Sequence, residues 1–258
     1  MKITVLLENT TARPDLSAEH GLSLYIETAT HKILFDMGQS ALFSYNASTL
    51  GVDLSVVDIA ILSHGHYDHG GGLERFLMLN QTAPVYVNRH AFEPHYNSTG
   101  KYIGLDTAFA KHKQLIFTDD TTILAEDITL CCCRQEKQNH PLGAFGLTML
   151  EDGVFKPEDF RHEQYLLVEE NHRKILFSGC SHRGILDIVD WFRPDILVGG
   201  FHFSKLPLDD TLRTYAEYLN SFSTEYYTCH CTGEKQFSFM GQSMKRLRYL
   251  SCGDTIYL

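Results

Sequence analysis

The chain has 258 residues, 43% of them hydrophobic, and a formal net charge of −10. Such a length and apolar content fit one large α/β unit over residues 1–258 and exclude a disordered chain. The acidic balance argues against a surface that grips nucleic acid through its phosphates, and no apolar run is long enough to span a membrane.

The first eight residues are too short and too soon interrupted for a signal peptide, so the cytoplasm is the expected location. Seven cysteines, three of them consecutive at Cys131–Cys133, match neither a zinc ribbon nor a secreted disulfide framework and read as reduced thiols.

In chain order, residues 2–8, 22–28 and 31–36 read as strands, the last two forming a hairpin that leads to Asp36-Met37-Gly38. A short helix is expected at 40–50, then a buried strand through Val56–Leu62. A helix follows at 73–79, and strands near 85–87 and 114–117 flank a polar, aromatic stretch at 90–104. The second half is more regular. It reads as strands at 164–170 and 173–178, a helix at 184–192, a strand at 195–199 and a helix at 209–221. A strand at 225–229 and a helix at 234–244 complete it.

Between the strand at 56–62 and the helix at 73–79 lies Ser63-His64-Gly65-His66-Tyr67-Asp68-His69-Gly70-Gly71-Gly72. Side chains alternate along an extended segment, so His64 and His66 point the same way and can share one metal ion. Asp68 and His69 come after the chain turns and are placed for a second ion. Imidazole suits zinc, and a carboxylate adds the charge that favours a divalent ion able to activate water.

The second half repeats an apolar strand running into a histidine. Ile175–Gly179 leads to Cys180-Ser181-His182, Asp195–Gly200 to Phe201-His202, and Tyr226–Cys229 to His230. Ligands gather at the carboxyl ends of strands in α/β folds, so this recurrence outweighs packing as an explanation of His182 and His230, and less firmly of His202.

These residues resemble the metallo-β-lactamase superfamily, whose signature is His-x-His-x-Asp-His after a hydrophobic strand. Gly179-Cys180-Ser181-His182, Gly200-Phe201-His202 and His230-Cys231-Thr232-Gly233 resemble, more narrowly, the branch labelled dihydropterin ribofuranosyl-aminobenzene phosphate synthase. The resemblance implies a four-layer αβ/βα sandwich. It implies one or two zinc ions, with iron, manganese or nickel left open. His64, His66 and His182 then match the first metal, and Asp68, His69 and His230 the second. Relatives carry a bridging aspartate where this chain has Cys180, which is either a further metal ligand or a buried, unreactive thiol.

Hydrolysis of an ester, amide, thioester or phosphoester is the expected reaction, with Asp68 and His202 as catalytic residues beside the metal. His202 could bind metal, donate to an oxyanion or orient a ligand, and a substrate-facing or orienting role is favoured. A small, anionic or phosphorylated metabolite is the expected substrate. His95, Lys101, Tyr67 and Phe201 are candidate substrate contacts, set against a reading of 90–104 as an ordinary surface insertion. Cys229 and Cys231 should point away from His230 into the core; Glu163 lies where relatives often carry another ligand, and a surface carboxylate is the favoured reading of it over a part in the site. A metal-binding sensor with little turnover and a mononuclear iron dioxygenase are the alternatives; oligomeric state is left open.

Overall fold

The computed structural model describes residues 1–258. Its first half lays down strands β1 (Lys2–Leu7), β2 (Ser23–Glu27), β3 (Lys32–Phe35), β4 (Ile59–Ile61) and β5 (Val85–Asn88). The two-residue β6 (His95–Tyr96) precedes β7 (Leu115–Thr118), β8 (Thr121–Ala125) and β9 (Ile128–Cys131). A hairpin of β10 (Thr148–Glu151) and β11 (Val154–Pro157) leads to β12 (Tyr165–Glu170) and β13 (Arg173–Ser178). The remaining strands are β14 (Ile196–Gly199), β15 (Glu225–Thr228), β16 (Leu247–Tyr249) and β17 (Thr255–Tyr257).

These strands form two seven-stranded sheets, ordered β17-β1-β2-β3-β4-β5-β7 and β16-β15-β14-β13-β12-β9-β8. Each is antiparallel on one side and parallel on the other: β3, β4, β5 and β7 run parallel in the first, and β13 to β16 in the second. The short helix α1 (Leu42–Thr49), the single turn α2 (Tyr67–Gly70) and α3 (Leu73–Leu79) belong to the first half. Helices α4 (Ile185–Phe192), α5 (Asp210–Asn220) and α6 (Glu234–Met240) belong to the second.

Alternation along the strands builds the layers. Ile59 and Ile61 of β4 join Phe177 of β13 and Val198 of β14 in the core between the sheets. Ala60 and Leu62 face the other way, toward Phe43 of α1 and Phe76 of α3. Leu197 and Tyr226 likewise face α4 and α5, through Ile188 and Leu212. Strands buried on both faces need apolar residues at every position, which is why they read as continuous runs rather than alternating ones. The result is the four-layer αβ/βα sandwich. No helix is long and apolar enough to cross a membrane.

The expected elements are present with small shifts at their ends. Hairpins β8–β9 and β10–β11 are additions. Their strands are half exposed and short, so they carry no apolar run to announce them.

Two close approaches hold the loops together at the parallel strand ends, the first of them between the two sheets. A Cβ at Gly179, just past β13, would lie 2.1 Å from Ser63 Oγ, just past β4. One at Gly65 would lie 2.2 Å from the Ala91 carbonyl oxygen. Only glycine allows the loops to meet this closely.

Candidate metal centre

The parallel ends of β4, β13, β14 and β15 converge on a pocket of about 460 Å³ whose wall includes His66, Asp68, Cys180, His182, His202 and His230. Four non-glycine residues around it hold left-handed backbones: Asp36 (φ 61°), Ser181 (φ 58°), His202 (φ 56°) and His230 (φ 50°). Such conformations cost about 1–3 kcal/mol each and persist where the surroundings over-determine them.

His64, His66 and His182 form one triad, with ring centroids 4.7, 4.9 and 4.9 Å apart. All three are buried. Ser63 Oγ donates its only proton to Asp36 Oδ2 (2.7 Å), so the 2.8 Å contact to His64 Nδ1 requires the ring to be the donor. That leaves His64 Nε2 as a bare lone pair, buried and without a protein partner. Both ring nitrogens of His182 are also without partners. Burial, reinforced by the neighbouring imidazoles, holds His64 and His182 well below the usual histidine range and therefore neutral.

Asp68, His69 and His230 form a second set. Asp68 Oδ2 lies 3.4 Å from His230 Nε2 and 3.8 Å from His69 Nε2. The two Nε2 atoms lie 3.2 Å apart. His69 Nδ1 donates to Asp36 Oδ2 (2.6 Å) and His230 Nδ1 to Asn9 Oδ1 (2.8 Å), so both Nε2 lone pairs face the same point. The Gly21 amide, donating to Asn9 Oδ1 at 3.2 Å, fixes the orientation of that side chain. Burial disfavours a charged His69 ring, yet Asp36 and Asp68 outweigh it and raise the group to about 9. With no ion bound this favours a proton on His69 Nε2, and a divalent cation would take that proton's place and free the lone pair. Converging lone pairs in a negative field fit a divalent cation, and the donor set of imidazole and carboxylate fits zinc.

Cys180 Sγ lies 3.2 Å from His69 Nε2 and within 4.8 Å of the donor atom of His64, so it stands between the two sets. Burial pushes its thiol up. His202 faces the same pocket, its ring 4.2 Å from that of His182 and both its nitrogens unpartnered.

Residues 17–130, which contain this motif, match the sequence model of the metallo-beta-lactamase superfamily. An uncharacterized protein of Methanocaldococcus jannaschii is 29% identical over 252 residues, spanning 93% of this chain and 94% of its own length. The 7,8-dihydropterin-6-methyl-4-(beta-D-ribofuranosyl)-aminobenzene-5'-phosphate synthase of the same organism is 26% identical over 264 residues, spanning 93% and 90%. The crystal structure of Tm1679, a metal-dependent hydrolase of the β-lactamase superfamily, shares the fold at a TM-score of 0.85 and 27% identity. It covers 100% of this chain and 99% of that one.

Residues 17–130 thus match the metallo-β-lactamase superfamily in sequence, and the whole chain shares the fold of a hydrolase of that superfamily. The chain's architecture and strand-end histidines are those of that superfamily, with Cys180 at the place where the resemblance implies a bridging aspartate.

Several sequence expectations are corrected. Phe201 is fully buried among Phe203 and Tyr226 and does not line the pocket; its amide donates to Thr232 Oγ1. His95 is also buried, 2.8 Å from Glu158 behind His66, and is not offered to substrate. Lys101 is exposed and stands over the Tyr67 ring at 5.9 Å, outside the pocket wall that Tyr67 itself lines. Cys229 is a core residue, but Cys231 is not turned away. The positive φ of His230 opens a 3-10 turn that swings Cys231 to the pocket, beside Cys180 and His202.

Glu163 is fully buried rather than at the surface. It accepts from the His182 and Arg183 amides (2.8 and 3.0 Å) and from the Tyr165 hydroxyl, holding the loop that carries His182.

Other participants gave no local signal. Asp36 orients His69 and Ser63; Glu8 accepts from the His230 amide at 2.6 Å. His20 reaches Asp68 Oδ2 at 3.1 Å from a half-exposed position. Glu158 and His162, buried together behind His66, likewise carry no local signal.

Proposed function

We propose that the protein is a cytoplasmic, metal-dependent hydrolase with two zinc positions, acting on a small anionic or phosphorylated metabolite. The observation that carries this reading is the pair of facing donor sets, in which the His64, His69 and His230 rings are each turned by an acceptor on the far nitrogen so that lone pairs converge on one pocket. His64, His66 and His182 would hold the first ion, and Asp68, His69 and His230 the second, with Cys180 within reach of both. A divalent cation there lowers the pKa of water toward about 7 and polarises a carbonyl or phosphoryl oxygen. Asp68 orients the attacking water, and His202, free of any protein partner, meets the charge that develops on the substrate.

The anionic substrate class has two supports. Tyr67, Lys205 and His20 line the pocket outside the donor sets. The synthase relative is named for a 5'-phosphate product. The hydrolase reading itself is supported by the similarity, over this whole chain, to a metal-dependent hydrolase. The seven free thiols accord with a reducing compartment.

Metal analysis of the purified protein, followed by a screen of phosphoesters, lactones and thioesters, tests the reading. About two equivalents of zinc and turnover of one class are expected. Tight metal binding with no turnover across the screen would favour a sensor instead. His64→Ala and His66→Ala should each cut bound metal sharply, since no neighbouring group replaces either imidazole; full metal content in both would refute the ligand assignment.

A further inference from the structure

Behind the first triad, away from the pocket, a second group of ionisable residues is sealed in the protein: His95, Glu158 and His162, each at most 5% exposed. They meet His66 from its far side. Glu158 lies 3.2 Å from His66 Nε2 through both carboxylate oxygens, 2.8 Å from His95 Nδ1 and 2.5 Å from His162 Nε2. No lysine or arginine pairs with it.

These distances decide what the group is. Two ligands of a tetrahedral zinc, each bound at about 2.0–2.1 Å, stand about 3.3 Å apart. The spacings of 2.5 and 2.8 Å are both too short for that; the His162 contact is a charge-assisted hydrogen bond, and His95 Nδ1 approaches the same carboxylate oxygen as an ion-pair contact. The Gly65 amide donates to His162 Nδ1 at 2.8 Å, so the proton of that ring sits on Nε2 and points at Glu158. An ionised carboxylate only accepts. Its contact with His66 Nε2 therefore requires a proton on that nitrogen, leaving Nδ1 as the one lone pair His66 can turn toward His64 and His182.

We propose that Glu158 is a positioning residue of the metal centre: it fixes His66 as the Nε2–H tautomer, so that Nδ1 is the nitrogen offered to the first ion, and the His162 hydrogen bond holds the carboxylate in place. This rests on the reading of His64, His66 and His182 as a cation site. The same short segment also aligns the triad's third member. Phe160 stacks on His182 at 4.4 Å with 6° between the planes, and Glu163 binds the His182 amide. A buried carboxylate behind a ligand imidazole locks its rotation and raises its basicity, and loss of such a partner typically costs 10–100-fold in metal affinity.

The test uses the full chain and Co²⁺, with a competing chromophoric chelator and the visible absorption of the bound ion as readouts. Glu158→Gln keeps the side chain's size while removing its charge. It should bind the cation of the first triad about 10–100-fold more weakly, with an altered absorption spectrum and an unchanged near-ultraviolet circular dichroism. Long-range ¹H–¹⁵N spectra of the zinc-loaded wild type should show His66 protonated at Nε2. That measurement decides the matter alone should Glu158→Gln not fold. Unchanged affinity and spectrum in the variant, or His66 protonated at Nδ1, would overturn the inference. So would a third equivalent of metal bound by the wild type and lost in Glu158→Gln. Failure of the wild type to bind either Co²⁺ or Zn²⁺ would instead overturn the metal-centre reading on which it rests.

Discussion

His202 separates building the centre from using it. Its left-handed backbone carries the ring into the pocket, 4.2 Å from His182, and no protein group satisfies either nitrogen. Two donor triads stand complete without it, so the ring is free for substrate. His202→Ala should keep its metal and fold yet lower turnover by about 10²-fold, the scale of losing one donor to developing negative charge. Metal stoichiometry measured beside activity checks this, and a lost ion would make His202 a ligand. Cys180 is tested by its chemistry. Burial keeps the thiol protonated, and Sγ sits 3.2 Å from His69 Nε2. Bound metal should shield it from alkylation and a chelator should expose it. Equal labelling in both conditions would leave it a packing residue. The donor residues were legible because a six-residue motif and strand-end histidines are local patterns. Their partners were not: Asp36 is 33 positions from His69, Glu158 is 92 from His66, and Glu8 is 222 from His230. Nothing in a window around either member of such a pair announces the other.

At the scale of elements, the centre depends on how β4 and β13 end. Gly179 brings the end of β13 against Ser63, and Ser63 in turn is tied to Asp36 and His64. A methyl group at 179 would sit 2.1 Å from Ser63 Oγ, too close to tolerate without displacing that network. Gly179→Ala should therefore cost about 1–3 kcal/mol of stability, as overpacking does. It should also weaken metal binding through His64. Denaturant unfolding of the chelated protein beside metal titration measures both, and an unchanged midpoint with unchanged affinity would show the contact to be slack. Strands buried on both faces were readable as apolar runs, which is why β4, β13, β14 and β15 were found with their histidines. Hairpin β10–β11 is largely exposed, so hydrophobicity does not mark it. The turn at His230 was missed for another reason. A positive φ on a non-glycine residue is imposed by tertiary contacts, here the Glu8 and Asn9 side chains, and local propensity does not predict it.

For the molecule as a whole, the centre spans the seam between the two sheets. His64, His66, Asp68 and His69 follow β4 in the first sheet, while His182 and His230 follow β13 and β15 in the second. A cation in either set thus binds both halves at once, and the unfolded chain offers no such array. Its binding free energy adds to folding stability. At free zinc 100-fold above its dissociation constant, one ion contributes about 2.7 kcal/mol. For a chain of this size each kcal/mol moves the melting temperature by about 2–4 °C. Chelation should therefore lower the melting temperature by roughly 5–10 °C per ion removed, and returning zinc should restore it. Scanning calorimetry with and without chelator, at matched protein concentration, makes the comparison. Two separable shifts on titration would correspond to two unequal ions, and a single shift to one. A melting temperature indifferent to chelator in a protein that had carried metal would mean that the two halves are already locked without the ion, and that the donor sets are held open by the surrounding carboxylates alone.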